Sequence, residues 1–236
     1  MKIAGIDNSL SCPAVTIFEI DDETYNIVKK ECFIVICEES KGTKKELNTI
    51  FDEVQKNNTI ILKPFTNEYD RMNRKNKYIA NRVKDCEYVA IEDYSYASKG
   101  LVTKIAENTG ILKSYLYDSG SKLRTYEPTT IKMFFCGNGS ANKMLMINEY
   151  LENEEENNPL NLDLKLKQFE ITEKSKLNDV VDSYAIAKLL HTELLLRKGL
   201  IEIKSLNLKQ IQVFNKIHKD TKTNILDTDF IYKNKE

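Results

Sequence analysis

The feature that most constrains this chain is its first forty residues. KIAGID, AVTIFEI and ECFIVICEE are three apolar runs rich in β-branched residues, separated by short polar turns. Runs of this kind read as strands, and connections this short predict an antiparallel meander. The rest of the chain is organised differently. Residues 44–56 show helical spacing at Leu47, Ile50, Phe51 and Val54, and a polar stretch with Pro64 follows. The basic segment RMNRKNKYIANRVK (71–84) has Tyr78, Ile79 and Val83 as an apolar stripe and predicts a helix. YVAIEDYSY (88–96) reads as a buried strand running into a tyrosine-rich loop. A helix over 101–118, the short strand KLRTYEP, a short helical stretch, the turn GNGSANK, a helix from Asn142 and a last core helix in SKLNDVVDSYAIAKLL (175–190) complete the order. That order predicts an α/β fold with a mixed five-stranded sheet, its first three strands antiparallel, flanked by helices.

Size and composition limit the function classes. A chain of 236 residues, 41% hydrophobic, is long enough for one sizeable core. We expect a main domain over 1–200 with an insertion around 57–85, then a loosely packed C-terminal extension over 201–236. Lys and Arg number 35 against 36 Asp and Glu, so no global basic field exists. Any nucleic-acid surface must be a local patch. The acidic run EYLENEEENN reads as a solvated face; the basic 71–84 segment is either that or a contact surface. Five scattered cysteines with no CxxC argue for a reducing compartment, and two histidines make a His-based metal site improbable. No stretch is apolar and long enough to span a membrane, and no signal-peptide core is present, so a cytoplasmic protein is expected.

Carboxylates fall at telling places. Asp7 ends the first strand, Glu92 ends a later one, and Asp179 and Asp182 open the last core helix. Adjacent strands can bring Asp7 and Glu92 to one sheet edge, and a helix packed across that edge can add the pair, since residues three apart on a helix are neighbours about 5–6 Å apart at Cβ. Taken singly, each has a structural explanation: a turn former, an edge residue, a favourable charge at a helix N-terminus. Asp182 lies beyond the cap and fits that explanation least. Four converging carboxylates repel unless a cation lies between them. Oxygen ligands without His or Cys point to Mg²⁺, with Mn²⁺ as a substitute. Two such ions about 3.5–4 Å apart suit phosphodiester hydrolysis.

These segments resemble the RuvC-type Holliday junction resolvases of the ribonuclease H-like superfamily, in the style of its phage or viral members. GIDNSLSCPAVTIFEI is similar to that family's first strand pair, IEDYSYASKG to its second motif, IAENTGILKSYLYD to the following helix, YEPTTIKMFFCGNGSANKMLM to its Pro–Lys–Gly-x-Gly–Ala–Lys stretch, and NDVVDSYAIAKLL to its closing helix. Ser183 stands where the family more often has Ala. The resemblance implies Asp7, Glu92, Asp179 and Asp182 as metal ligands and catalytic carboxylates. It places Lys132 and Lys143 near the scissile phosphate, where a point charge stabilises the transition state.

The same resemblance puts Tyr94 and Tyr96 where an aromatic stacks on an unpaired base, a contact worth about 1–3 kcal/mol per base. The expected DNA-contacting set also includes Lys99, Lys104, Arg71, Arg74, Lys75, Lys77, Arg82, Asn138 and Ser140. The GNGSA turn leaves backbone N–H groups free to approach a phosphate; alternatively Ser140 or Asn142 simply caps the next helix. The function implied is a Mg²⁺-dependent endonuclease cutting four-way junctions and other branched DNA, working as a homodimer with its dimer helix around 101–118. Alternatives are a ribonuclease H acting on RNA–DNA hybrids and a non-catalytic DNA-binding protein on the same scaffold. GIDNS also resembles the first phosphate loop of actin-like ATPases, but a second Gly-rich phosphate loop is not visible.

Overall fold

The computed structural model describes residues 1–37, 59–62, 64–93, 102–153 and 177–219. The helical spacing over 44–56 and the tyrosine-rich loop lie outside the described residues. Three strands form the expected meander: β1 (Lys2–Asp7), β2 (Ala14–Ile20) and β3 (Ile27–Ile36). β1 pairs antiparallel with β2, and β2 antiparallel with β3. β5 (Tyr88–Glu92) adds parallel to β1, and β6 (Lys122–Tyr126) parallel to β5. These five strands, in the order β3-β2-β1-β5-β6, are the mixed five-stranded sheet expected from the sequence. A sixth strand, β4 (Thr59–Ile61), joins parallel at the outer edge of β3. Its three residues fall in the inserted segment, too short for alternation to reveal.

Alternation along the strands builds two cores. Ile3, Phe18 and Ile34 face one side; Ala4, Ile6, Val15, Ile17, Phe33 and Val35 face the other. The second side is covered by α1 (Glu68–Arg82) and α2 (Val102–Asp118). Asn67 caps α1 by accepting from the Asp70 amide at 2.8 Å, and Ile79, Ala80 and Val83 bury its apolar stripe. The first side carries α3 (Pro128–Cys136), α4 (Lys143–Asn153), α5 (Leu177–Arg197) and α6 (Leu208–Lys219). Pro128 begins α3 at a position where its missing N–H costs nothing, and Gly137, at φ 67°, ends it in the left-handed region.

Two features hold α5 against the sheet. Gly5 on β1 leaves room for its backbone: a Cβ there would stand 2.3 Å from the Ala187 amide nitrogen. Thr16 on β2 and Ser183 on α5 share a buried 2.8 Å hydrogen bond, and the Ser183 hydroxyl also lies 2.8 Å from the Val180 carbonyl oxygen. Ser183 is therefore a lock between helix and sheet, a job alanine could not do.

The C-terminal segment is not loose through α6. Val213, Phe214 and Ile217 are buried in the first core, and the Phe214 ring meets Phe134 edge-on at 5.8 Å. The expectation of a loosely packed extension missed this because its apolar residues are diluted by Lys, Asn and Gln on the outer face. Truncating a buried Phe typically costs about 3–5 kcal/mol.

Beneath β6 lies a buried ion cluster. Glu193 of α5 accepts from Arg124 Nε at 3.1 Å, from the Tyr126 hydroxyl at 2.6 Å and from Arg197 Nε at 3.0 Å. None of these charged side chains is more than 1% exposed. Among the described residues no helix is long and apolar enough to cross a membrane, and none of the five cysteines forms a disulfide.

Candidate active site

The parallel pairing of β1 and β5 brings two carboxylates together. The register runs through Ile6 opposite Ile91, so Asp7 and Glu92 come one step later, side by side at the same end of the sheet. Gly5 then lets α5 sit directly over this end, and the Thr16–Ser183 bond fixes its rotation. That places Asp179 and Asp182, in the first turns of α5, toward Asp7. Asp7 is only 8% exposed. Burial raises its carboxyl well above the usual range, and the neighbouring charges of Asp179, Glu92 and Asp182 raise it further, while Lys143 works in the other direction. All four expected carboxylates thus share one electrostatic neighbourhood.

Lys132 of α3 and Lys143 of α4 face this acidic wall. A cavity of about 110 Å³ is lined by Glu92, Asp182, Lys132 and Lys143, with Pro128, Ile131, Met146 and Ile186 as its apolar floor. Burial pushes Glu92 up to about 7, with Asp182 adding and Lys132 opposing. Burial also pushes Asp182 up to about 6, against the pull of Lys143 and then Lys132. Both lysines therefore act on Asp182, while Lys132 also acts on Glu92 and Lys143 on Asp7.

The donor set fits a hard divalent cation: four carboxylates, no sulfur and no imidazole. The mutual repulsion recorded at Asp7 is what a cation would relieve. The cage is not pre-assembled, however. Among the described residues no group of three or more His, Cys, Asp or Glu side chains stands in a geometry that could hold an ion. The four carboxylates come from three separate elements, so an ion held by all of them would need side-chain rotation to complete the set.

The expected DNA contacts divide. Lys77 is exposed on α1. Arg74 is paired with Asp70 at 3.6 Å and lies over the Phe65 ring at 5.1 Å; Arg82 lies over the Phe33 ring at 4.8 Å. Arg71 and Lys104 both pair with Glu68, at 3.2 and 3.0 Å. Arg71, Lys104 and Glu68 border a broad groove with Leu10, Ser11 and Phe65. Lys75 departs from the expectation of a DNA contact. It is fully buried and donates to the Ser9 carbonyl at 2.8 Å, because the turn of α1 aims it inward beside Asn76. Asn138 accepts from the Ser140 amide at 3.0 Å within its own turn, and it is Asn142 that caps α4, accepting from the Leu145 amide at 2.9 Å. Tyr94, Tyr96 and Lys99 lie outside the described residues.

Sequence reasoning missed the residues behind the site. Thr16 and Ser183 gave no signal beyond being small and polar in apolar runs. Asn76 and Asn108, fully buried and hydrogen-bonded to each other, read as ordinary surface positions on helices.

No protein-family model matches the chain, and no curated protein sequence matches it. Solved structures similar to it include that of Thermus thermophilus RuvC, at 18% identity and a TM-score of 0.46, covering 84% of this chain and 97% of that one. The Fowlpox virus resolvase in complex with substrate Holliday junction DNA is similar at 20% identity and a TM-score of 0.46, covering 83% of this chain and 99% of that one.

Proposed function

We propose that the chain is a divalent-metal-dependent endonuclease that cuts branched DNA, four-way junctions above all. The observation that carries this reading is the convergence of Asp7, Glu92, Asp179 and Asp182 from two strands and one helix, faced by Lys132 and Lys143 across a small cavity. The ordered motif resemblance along residues 1–190 supports the choice of substrate. The activity would be carried by residues 1–200, in the cytoplasm.

The four carboxylates would hold the cations. Bound there, two Mg²⁺ ions would supply an activated water and a counter-charge for the leaving oxygen. The chain's own residues do the rest. Lys132 and Lys143 put positive charge beside Glu92 and Asp182, where the non-bridging oxygens of a phosphodiester are expected to enter. The apolar floor of Ile131, Met146 and Ile186 limits the water around that phosphate. Exposed Lys77, with Arg71 and Lys104 around the neighbouring groove, contributes sequence-independent phosphate contacts whose strength falls with salt. A twofold dimer through α2 would present two such sites to opposed strands.

The test is cleavage of a labelled synthetic four-way junction with Mg²⁺, beside flap, fork and RNA–DNA hybrid substrates. Preferred cutting of the junction supports the proposal. Cutting confined to the hybrid would replace it with a ribonuclease H.

A further inference from the structure

Asp7 is held from behind as well as in front. β1 ends at Asp7, and the chain turns through Asn8 and Ser9 before β2 begins. Two helices on the far side of the sheet reach that turn. Lys75 of α1 donates to the Ser9 carbonyl at 2.8 Å, and Asn108 of α2 donates to the Asn8 carbonyl at 3.0 Å. Asn76 of α1 donates to the backbone and side-chain oxygens of Asn108, at 2.9 and 3.0 Å, and so ties the two arms together. Lys75, Asn76 and Asn108 are each completely buried.

This arrangement is costly. Burial of the Lys75 ammonium lowers it to about 8, and its hydrogen bond to Ser9 goes to a neutral carbonyl rather than to a carboxylate. An apolar side chain would fill the space between α1 and the sheet without taking a charge out of water. A stabilising purpose alone therefore explains the lysine poorly. What it touches is the backbone one peptide beyond the residue that follows Asp7. That ammonium in turn feels the charge of Asp7, after those of Cys37 and Arg71.

We infer that Lys75, Asn76 and Asn108 are positioning residues: a clamp from α1 and α2 that fixes the Asn8–Ser9 backbone and thereby aims Asp7 as a metal ligand. The inference rests on the metal-site reading above. It assigns the inserted basic helix an inward task besides any outward contact with DNA. Partners that orient a ligand commonly change metal affinity by about 10–100-fold when removed.

The experiment is Mn²⁺ binding to the full chain, followed by electron paramagnetic resonance, with urea unfolding on the same samples. Lys75→Met removes the donor and keeps the length; Asn108→Leu removes the second donor from the other helix. Each should weaken Mn²⁺ about tenfold. The double variant should lose much less than the product of the two, because both act on one turn. Leu116→Ala, in the core of α2 and away from the turn, should lower the urea midpoint and leave Mn²⁺ affinity within about twofold of wild type. Should one clamp variant fail to fold, the other carries the test.

Wild-type affinity in a folded Lys75→Met or Asn108→Leu overturns the clamp, as does an equal loss in Leu116→Ala. The metal-site reading fails separately, if wild-type chain binds no Mn²⁺ or if Asp7→Asn binds it unchanged. In that case the clamp falls with it.

Discussion

Gly5 of β1 and Ala187 of α5 are in direct backbone contact: a Cβ at Gly5 would stand 2.3 Å from the Ala187 amide nitrogen and 2.5 Å from the Ser183 carbonyl oxygen. The obstacles are backbone atoms, which cannot rotate away. Gly5→Ala must therefore lift α5 from the sheet, and with it Asp179 and Asp182. We expect a loss of about 3 kcal/mol in urea unfolding and cleavage reduced more steeply than stability. A Gly5→Ala protein that unfolds and cuts like wild type would show that α5 is free to shift.

The Arg124–Glu193–Arg197 cluster predicts a second outcome. Glu193→Gln removes the carboxylate that both guanidiniums bond, in a place where no more than 1% of either is exposed. Removing one member of a buried ion pair typically costs about 3–5 kcal/mol. The urea midpoint should fall accordingly. A loss below about 1 kcal/mol would mean that the other groups around the arginines suffice.

His191 gives a pH dependence with a definite sign. Its Nε2 lies 2.7 Å from the Tyr25 carbonyl oxygen, so that nitrogen carries a proton and donates. Burial holds the ring below its ordinary value of 6.5, with the nearby Lys188 and Lys30 acting in the same direction. The unfolded chain then binds a proton more readily than the folded one. His191 thus contributes stability that is present above about pH 6.5 and is lost as the pH falls toward its folded value. His191→Gln keeps an N–H for Tyr25 and does not titrate. Measured by urea from pH 7.5 to 5, wild type should lose stability relative to His191→Gln. A difference that stays constant across that range would contradict the assignment.

Much of this was legible in the sequence. The three opening strands, β5, β6 and the helices after them fall where β-branched runs and apolar spacing put them, because burial on one or two faces leaves a periodic mark. The positions of Asp7 and Glu92 at strand ends followed from the same pattern. What stayed hidden was whatever depends on contacts distant in sequence. Lys75 sits in a basic helix and reads as solvent-facing; only packing of α1 against the β1–β2 turn sends it inward. α6 carries its core residues at Val213, Phe214 and Ile217 amid polar neighbours, and its burial depends on a partner, Phe134, eighty residues earlier. β4 is three residues long and exists only because β3 offers an edge.

The carboxylates gathered at the end of β1 and β5 and the start of α5 are proposed to do metal-dependent chemistry on branched DNA. Asp182 tests it best: it lies past the helix cap, lines the cavity with Lys132 and Lys143, and raises Glu92 and Asp7 by its charge. The measurement is single-turnover cleavage of a labelled four-way junction with Mg²⁺ by wild type and Asp182→Asn, with junction binding followed in Ca²⁺. Asp182→Asn should lose at least about a thousandfold in cleavage, a barrier increase of about 4 kcal/mol, while binding the junction as tightly as wild type. Cleavage by Asp182→Asn within tenfold of wild type, or wild-type cleavage that persists in excess chelator, would contradict it.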